Sequence, residues 1–177
     1  AVVWHWNNGV GTANGGVHWG MAFDGDKVYA PISDPGRPRP GFVPQPGLYA
    51  LDAATGKLVW EHRATPDCEG RQDRVRYCEF QYGYSAAATV VGEAVIQGSL
   101  DGHLRVFDRS TGEVIFSFDT VRDYQGINGV PGQGGAIDNA AVIAANGLLL
   151  VSSGYGMFGQ APGNVLLAFR PAEKVEL

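Results

Sequence analysis

The sequence predicts an all-β chain, part of a β-propeller, on three observations. A hairpin unit returns at a fixed spacing, short β-rich runs alternate with Gly-centred turns, and no segment of useful length carries the apolar period of a helix. The clearest copy of the unit is Gly47-Leu-Tyr-Ala-Leu-Asp-Ala-Ala-Thr-Gly-Lys-Leu-Val-Trp60. It returns as Gly102-His-Leu-Arg-Val-Phe-Asp-Arg-Ser-Thr-Gly-Glu-Val-Ile-Phe116, with Thr55-Gly56 and Thr111-Gly112 standing 56 positions apart. A weaker third copy, Gly163-Asn-Val-Leu-Leu-Ala-Phe-Arg-Pro171, lacks the Asp and the Thr-Gly.

Each copy reads as two strands around a tight turn. Leu48–Leu51 pairs with Lys57–Trp60, and Leu104–Phe107 with Glu113–Phe118. Between them Asp-x-x-Thr-Gly offers a side-chain acceptor for turn amides and a Gly free to take a positive φ. A second hairpin precedes each copy. Val17–Phe23 and Lys27–Ile32 flank Asp24-Gly25-Asp26, and Ser85–Val91 and Ala94–Gly98 flank Gly92-Glu93. Ala140–Ala145 and Leu148–Ser152 flank Asn146-Gly147, a strong short-range hairpin signal. The chain thus reads as about three four-stranded antiparallel blades, at residues 17–63, 84–119 and 136–177, within one partial propeller domain over 1–177. Three blades do not close a ring of about eight, so further blades are expected on additional chain or on a partner. A Greek-key sandwich is the alternative fold, but it leaves the 56-residue copy unexplained.

Composition agrees. Hydrophobic residues make up 45% of the 177 and charged residues 18%, enough for a packed core, and 26 Gly suit many turns. The net charge of −5, with 13 scattered Lys and Arg, disfavours a nucleic-acid groove. No apolar run approaches the ~18 residues of a membrane span. A start at Ala1 without a signal peptide suggests a processed chain or an excised piece. Cys68 and Cys78, ten positions apart, are too few for a zinc site and too distant for a redox pair. They read as a structural disulfide from an oxidising compartment, with two free thiols as the alternative.

The long segments are Ser33–Pro46, Ala64–Gly83, Thr120–Gly135 and Ser153–Pro162. In an up-and-down blade all four project from one face of the disc, where they either build a site or are tolerated insertions.

Ala50-x-Asp52-x-x-Thr55-Gly56-x-x-x-Trp60 resembles the tryptophan-docking motif of quinoproteins, the enzymes that carry pyrroloquinoline quinone (PQQ). The second copy departs from it at Val106 and Phe116. Gly15-Gly16-Val-His18-Trp19-Gly-Met-Ala22-Phe-Asp24, followed by Val28-Tyr29-Ala-Pro31, resembles a quinoprotein alcohol dehydrogenase segment whose Asn reaches the cofactor; His18 stands at the Asn position. Gln133-Gly-Gly-Ala-Ile-Asp-Asn139 and Gly154-Tyr-Gly-Met-Phe-Gly-Gln-Ala-Pro-Gly-Asn164-Val-Leu-Leu-Ala-Phe169 are similar to the end of polyvinyl alcohol dehydrogenases. The resemblance implies the C-terminal part of a periplasmic enzyme that oxidises secondary or polymeric alcohols to ketones. It further implies PQQ, a bound Ca²⁺, and electron transfer to cytochrome c. The family's Trp-Asp base motif and the Cys-x-x-Cys-His of haem c are absent here, so haem c is expected on a missing segment or a partner, and this chain alone is expected not to turn over.

Among single residues, His18 is the expected catalytic group, able to donate to a quinone oxygen or to orient the substrate hydroxyl. Its alternative is a hydrogen-bonded core histidine. Trp19 reads as cofactor wall or core, and Gly134 and Gly135 as a close approach for a flat cofactor or as a simple turn. Asp138 and Asn139 could face the same funnel as oxygen ligands for a hard cation, though two residues fall short of a Ca²⁺ site and no metal site is assigned. His5, between Trp4 and Trp6, reads as packing, and Asp52 and Asp101 as turn residues. The competing function is a cofactor-free propeller of the same type that binds other proteins through its loop face. Fold alone does not separate the two.

Overall fold

The computed structural model describes residues 1–9, 15–34, 40–41, 43–140 and 142–171. Strands β1 (Ala22–Phe23), β2 (Lys27–Ile32), β3 (Gly47–Asp52) and β4 (Leu58–Arg63) form a four-stranded sheet in chain order. Strands β5 (Thr89–Val91), β6 (Ala94–Gly98), β7 (His103–Asp108) and β8 (Val114–Asp119) form a second. A two-stranded ribbon, β9 (Asp123–Gln125) and β10 (Pro131–Gln133), precedes β11 (Val142–Ala145), β12 (Leu148–Ser153) and β13 (Val165–Phe169) of a third sheet. All neighbouring strands are antiparallel, as expected of up-and-down propeller blades.

The two complete hairpin copies fold alike. Thr55 donates its amide and hydroxyl to Asp52 Oδ1 at 2.8 and 2.6 Å, and the Thr111 amide donates to Asp108 Oδ1 at 2.8 Å. Both hairpins slip register at matching places, after Ala50 and after Val106. Trp60 is 8% exposed; its Nε1 donates to Arg109 O at 3.0 Å, and its ring lies against Gly112 of the next sheet. A Cβ on Gly112 would stand 2.5 Å from the indole, and its φ of +76° disfavours other residues as well. Trp4 repeats this contact one repeat earlier: its Nε1 donates to Ala53 O at 2.9 Å and its ring covers Gly56. Residues around Trp4 therefore occupy the place of an outermost strand that docks onto the first sheet, as β4 docks onto the second.

Several expectations are corrected. The innermost strands are shorter than Val17–Phe23 and Ser85–Val91, because their first halves bond sideways. The Trp19 amide donates to Ser85 O at 3.4 Å, and the Ala87 amide to Asn139 O at 3.2 Å, instead of pairing within their own hairpins. Segment 120–135 is not a plain connection, since it carries the β9–β10 ribbon closed by Gly126 N–H to Val130 O at 3.0 Å. The third sheet has three strands among the described residues, and residues 172–177 of its expected span lie outside them, as does Ala141 of the expected strand Ala140–Ala145. Of the loop Ser33–Pro46, residues 35–39 and 42 also lie outside.

Cys68 and Cys78 are bonded, with Cα atoms 5.4 Å apart. The segment they close packs Val75 and Cys78 against Val121 and Ala161, bracing the second sheet to the loop between β12 and β13.

Candidate active site

The sideways bonds of the innermost segments bring three chain stretches together. His18 and Trp19 come from the first unit, Ser85 from the second, and Asp138 from the third. Asp138 is buried, and both its oxygens accept: Oδ1 from Trp19 Nε1 at 3.0 Å, and Oδ2 from Gln160 Nε2 at 2.8 Å. His18 Nδ1 lies 2.7 Å from Ser85 Oγ and 3.9 Å from Asp138 Oδ1. The His18 side chain is 27% exposed and Trp19 is 42% exposed, so imidazole and indole remain open to an incoming group. Tyr155 meets Trp19 edge to face at 6.0 Å.

The Asp138 carboxylate beside Nδ1 favours the tautomer with its proton on Nδ1, donating to Ser85 Oγ. Nε2 then carries the lone pair, and it makes no hydrogen bond to the described residues. The arrangement is thus a half-exposed imidazole acceptor beside an exposed aromatic face, fixed from behind by a buried carboxylate. Such a group can receive a hydroxyl proton.

Of the residues singled out in the sequence, His18, Trp19 and Asp138 meet here. Asn139 adjoins them, its main chain bonded to Ala87 and its side-chain Oδ1 buried without a partner among the described residues. Gly134 and Gly135 do not open onto the site. Side chains there would collide with Thr120 O and with the carbonyls of Ala161 and Pro162, so this chain's own backbone fills the space. Ser85, Gln160 and Tyr155 were not expected. Ser85 follows Gly83-Tyr84 much as His18 follows Gly16-Val17, a parallel visible in the sequence; Gln160 carried no such signal.

A family model described as outer membrane protein assembly factor BamB, built on PQQ-type repeats, matches residues 1–172. This chain belongs to the PQQ-type β-propeller family. It is 35% identical over 179 residues to a polyvinylalcohol dehydrogenase of Sphingopyxis sp. (strain 113P3), covering 96% of this chain and 27% of that protein. The chain therefore spans about a quarter of that relative's length. Among solved structures it is similar to quinohemoprotein alcohol dehydrogenase ADHIIG of Pseudomonas putida HK5, with TM-score 0.56, 24% identity and coverage of 89% and 19% of the two chains. It is also similar to BamB of Moraxella catarrhalis, with TM-score 0.51, 19% identity and coverage of 85% and 36%. At these identities the structural likenesses show the propeller fold.

The sequence resemblance leads to the expectation of PQQ, a flat quinone. The axial residues fit one side of such a group: Trp19 offers an exposed ring face, His18 a free nitrogen, and Asn139 an unpartnered buried oxygen. No group of three or more His, Cys, Asp or Glu suited to a metal ion exists among the described residues.

Proposed function

We propose that this chain forms the C-terminal blades of a PQQ-dependent dehydrogenase that oxidises secondary or polymeric alcohols to ketones, with His18 at the reacting centre. The observation that carries the reading is the meeting of His18 and Trp19 of the first unit with Asp138 of the third around an exposed imidazole nitrogen. When bound, PQQ supplies a two-electron acceptor. His18 Nε2 accepts the hydrogen bond of the substrate hydroxyl and takes its proton as the carbonyl forms. Ser85 and Asp138 hold the ring so that Nε2, not Nδ1, faces the substrate. Trp19, tied through Nε1 to Asp138, forms the wall of the cofactor site with Asn139 beside it. Ca²⁺ as a second cofactor and cytochrome c as electron acceptor are part of the same proposal. The disulfide agrees with a periplasmic location. No helix among the described residues is long and apolar enough to cross a membrane.

The test uses the full-length protein containing this chain. PQQ binding is followed by calorimetry, and alcohol-dependent dye reduction by steady-state kinetics. His18→Ala is expected to lower kcat/KM by about 10²–10⁴ while leaving the melting temperature close to the parent's. A variant that oxidises alcohol at the parent's rate removes His18 from the site. A parent that binds no PQQ supports the scaffold reading that the BamB-type family model suggests.

A further inference from the structure

An unbroken run of contacts ties the candidate site to the disulfide. Behind Asp138 stands the buried Gln160, whose Nε2 donates to Asp138 Oδ2 and whose Oε1 accepts from the Phe158 amide at 2.7 Å. Gln160 and Phe158 belong to the loop between β12 and β13. The base of that loop is closed by Gly163 N–H to Gly154 O at 3.0 Å and by Ala136 N–H to Ala161 O at 2.8 Å. Its tip buries little of its own, since Met157 is 68% and Phe158 is 50% exposed. Two residues flanking Cys78 prop this tip from outside. Gln81 Nε2 donates to Phe158 O at 2.7 Å, and the Tyr77 ring lies against Gly159. The Gln81 amide donates to Tyr77 O at 2.8 Å, so the two props move together. Cys78 itself is buried in one cluster with Ala161, the neighbour of Gln160. Residues 68–78 contain no strand or helix, and the bond between Cys68 and Cys78 closes them into a loop.

We propose that the Cys68–Cys78 bond is a maturation switch for the candidate site: only the oxidised chain holds Gln160 against Asp138, and with it Trp19, in the arrangement that receives the cofactor. The switch rests on the reading above for the place of the site and for its cofactor, but not for the reaction. A disulfide donor takes two electrons and two protons from the thiols as the S–S bond forms, and a dithiol returns them while closing into a disulfide itself. Cys78 is buried and Cys68 only partly so, which makes the Cys68 sulfur the one a dithiol attacks and Cys78 the leaving thiolate. With the bond open, residues 68–78 regain chain freedom, Tyr77 and Gln81 leave the loop tip, and Gln160 no longer stays on Asp138. A buried carboxylate that loses one of its two donors is destabilised where it stands, so Asp138 moves and the Trp19 indole loses its acceptor. The cofactor is then taken up firmly only where the bond can form, in an oxidising compartment.

The test compares the full-length protein with its Cys68→Ser, Cys78→Ser variant, both labelled with ¹⁵N-tryptophan. The indole N–H resonance of Trp19, assigned through Trp19→Phe, reports the bond to Asp138 without any cofactor. Trp4 and Trp60, whose indoles donate to Ala53 O and Arg109 O, report on the fold. In the variant the Trp19 resonance is expected to move while those of Trp4 and Trp60 stay, and the Kd for PQQ by calorimetry to rise about tenfold. Reducing the parent with dithiothreitol should give the variant's spectrum, and oxidised glutathione should restore the parent's. Gln160→Leu should shift Trp19 in the same way, and the cysteine substitutions should add nothing further to it. A Trp19 resonance that stays in place in the folded variant overturns the switch, whatever happens to PQQ binding. If all three resonances move, Gln81→Ala decides, because it cuts the prop and keeps the bond: Trp19 moving alone supports the switch, and Trp19 unmoved overturns it. A parent that binds no PQQ in either state removes the cofactor reading, and the Trp19 resonance still decides whether the bond governs the site.

Discussion

The first and second sheets are joined differently from the second and third, although one repeated hairpin builds both sides. At the first joint Trp60 sits at 8% exposure, donates to Arg109 O, and packs with Tyr29 and Phe107 at ring distances of 5.8 and 6.4 Å. At the second joint the equivalent residue is Phe116, 44% exposed and lying beside Phe118 and Phe169. The core there is aliphatic, built on Ala86, Ile96, Leu104, Ile137 and Val151. The receiving side differs too, since the third hairpin lacks the Asp and Thr-Gly that create the dock. What the second joint has instead is a strap. The disulfide-closed segment reaches over it, Arg71 pairing with Asp119 at 2.8 Å, Arg74 with Asp123 at 2.8 Å, and Val75 and Cys78 meeting Ala161. One joint is held by a wedge and the other by a tie across its mouth.

Removing the wedge is expected to have the largest effect. Trp60→Ala empties a buried aromatic site and removes the shorter of the two hydrogen bonds that Arg109 O accepts, a loss of about 3–5 kcal/mol. Phe116→Ala, at the matching position, is expected to cost about 1 kcal/mol or less, because its ring is already half in water. Urea melts of the full-length protein measure both. Equal losses would erase the distinction between the joints.

Removing the tie comes second. Cys68→Ser with Cys78→Ser releases a ten-residue step and is expected to cost about 2–3 kcal/mol. Hydrogen exchange should rise at the amides of Phe158 and Gly163, in the loop that the strap supports. Unchanged exchange there would show that the segment rides on the sheets without bracing them.

Much of this was legible in the sequence, and the parts that were not share a cause. Asp24-Gly25, Gly92-Glu93 and Asn146-Gly147 mark their hairpins through local turn chemistry, and Trp60 and Thr55-Gly56 mark the dock by their repeat. The 56-residue spacing from Trp4 to Trp60 carried the first dock as well, although the turn that precedes Trp60 has no copy before Trp4 to draw attention to it. The β9–β10 ribbon is short and polar and begins its second strand at Pro131, so no alternation announces it. In the candidate site, His18, Trp19 and Asp138 could be selected by type and neighbourhood. Gln160 could not, because its role depends on a loop folding back onto Asp138 from 22 positions away. Gly134 and Gly135 were read as a close approach for a flat cofactor or as a simple turn, and a Cβ at either would meet the chain's own carbonyls.

The last expected effect concerns acid, and it reaches the second joint through Asp101. Under the strap, burial alone pushes the Asp101 carboxyl up, but the His103 hydrogen bond, the Arg105 charge and the Ser99 hydroxyl outweigh it and hold the group at about 2. Arg71, from the strap itself, stands 3.9 Å away. A carboxyl lowered in the folded state stabilises that state at pH above its unfolded value of 3.8, and the contribution disappears as pH falls toward about 2. For this buried group the contribution is about 2 kcal/mol. Asp24 at the first joint complicates the measurement. It too is held at about 2, with burial opposing and Tyr29 and backbone amides of Lys27 and Asp26 prevailing, so the parent loses stability from both joints in one window. Asp101→Asn isolates the second. The variant is expected to be about 2 kcal/mol less stable than the parent at pH 7, and the gap should close between pH 4 and pH 2 as the parent's Asp101 protonates. If the gap stays constant down to pH 2, the contacts of His103, Arg105 and Ser99 with the Asp101 carboxylate add nothing to stability at the second joint, and the variant's loss has another cause.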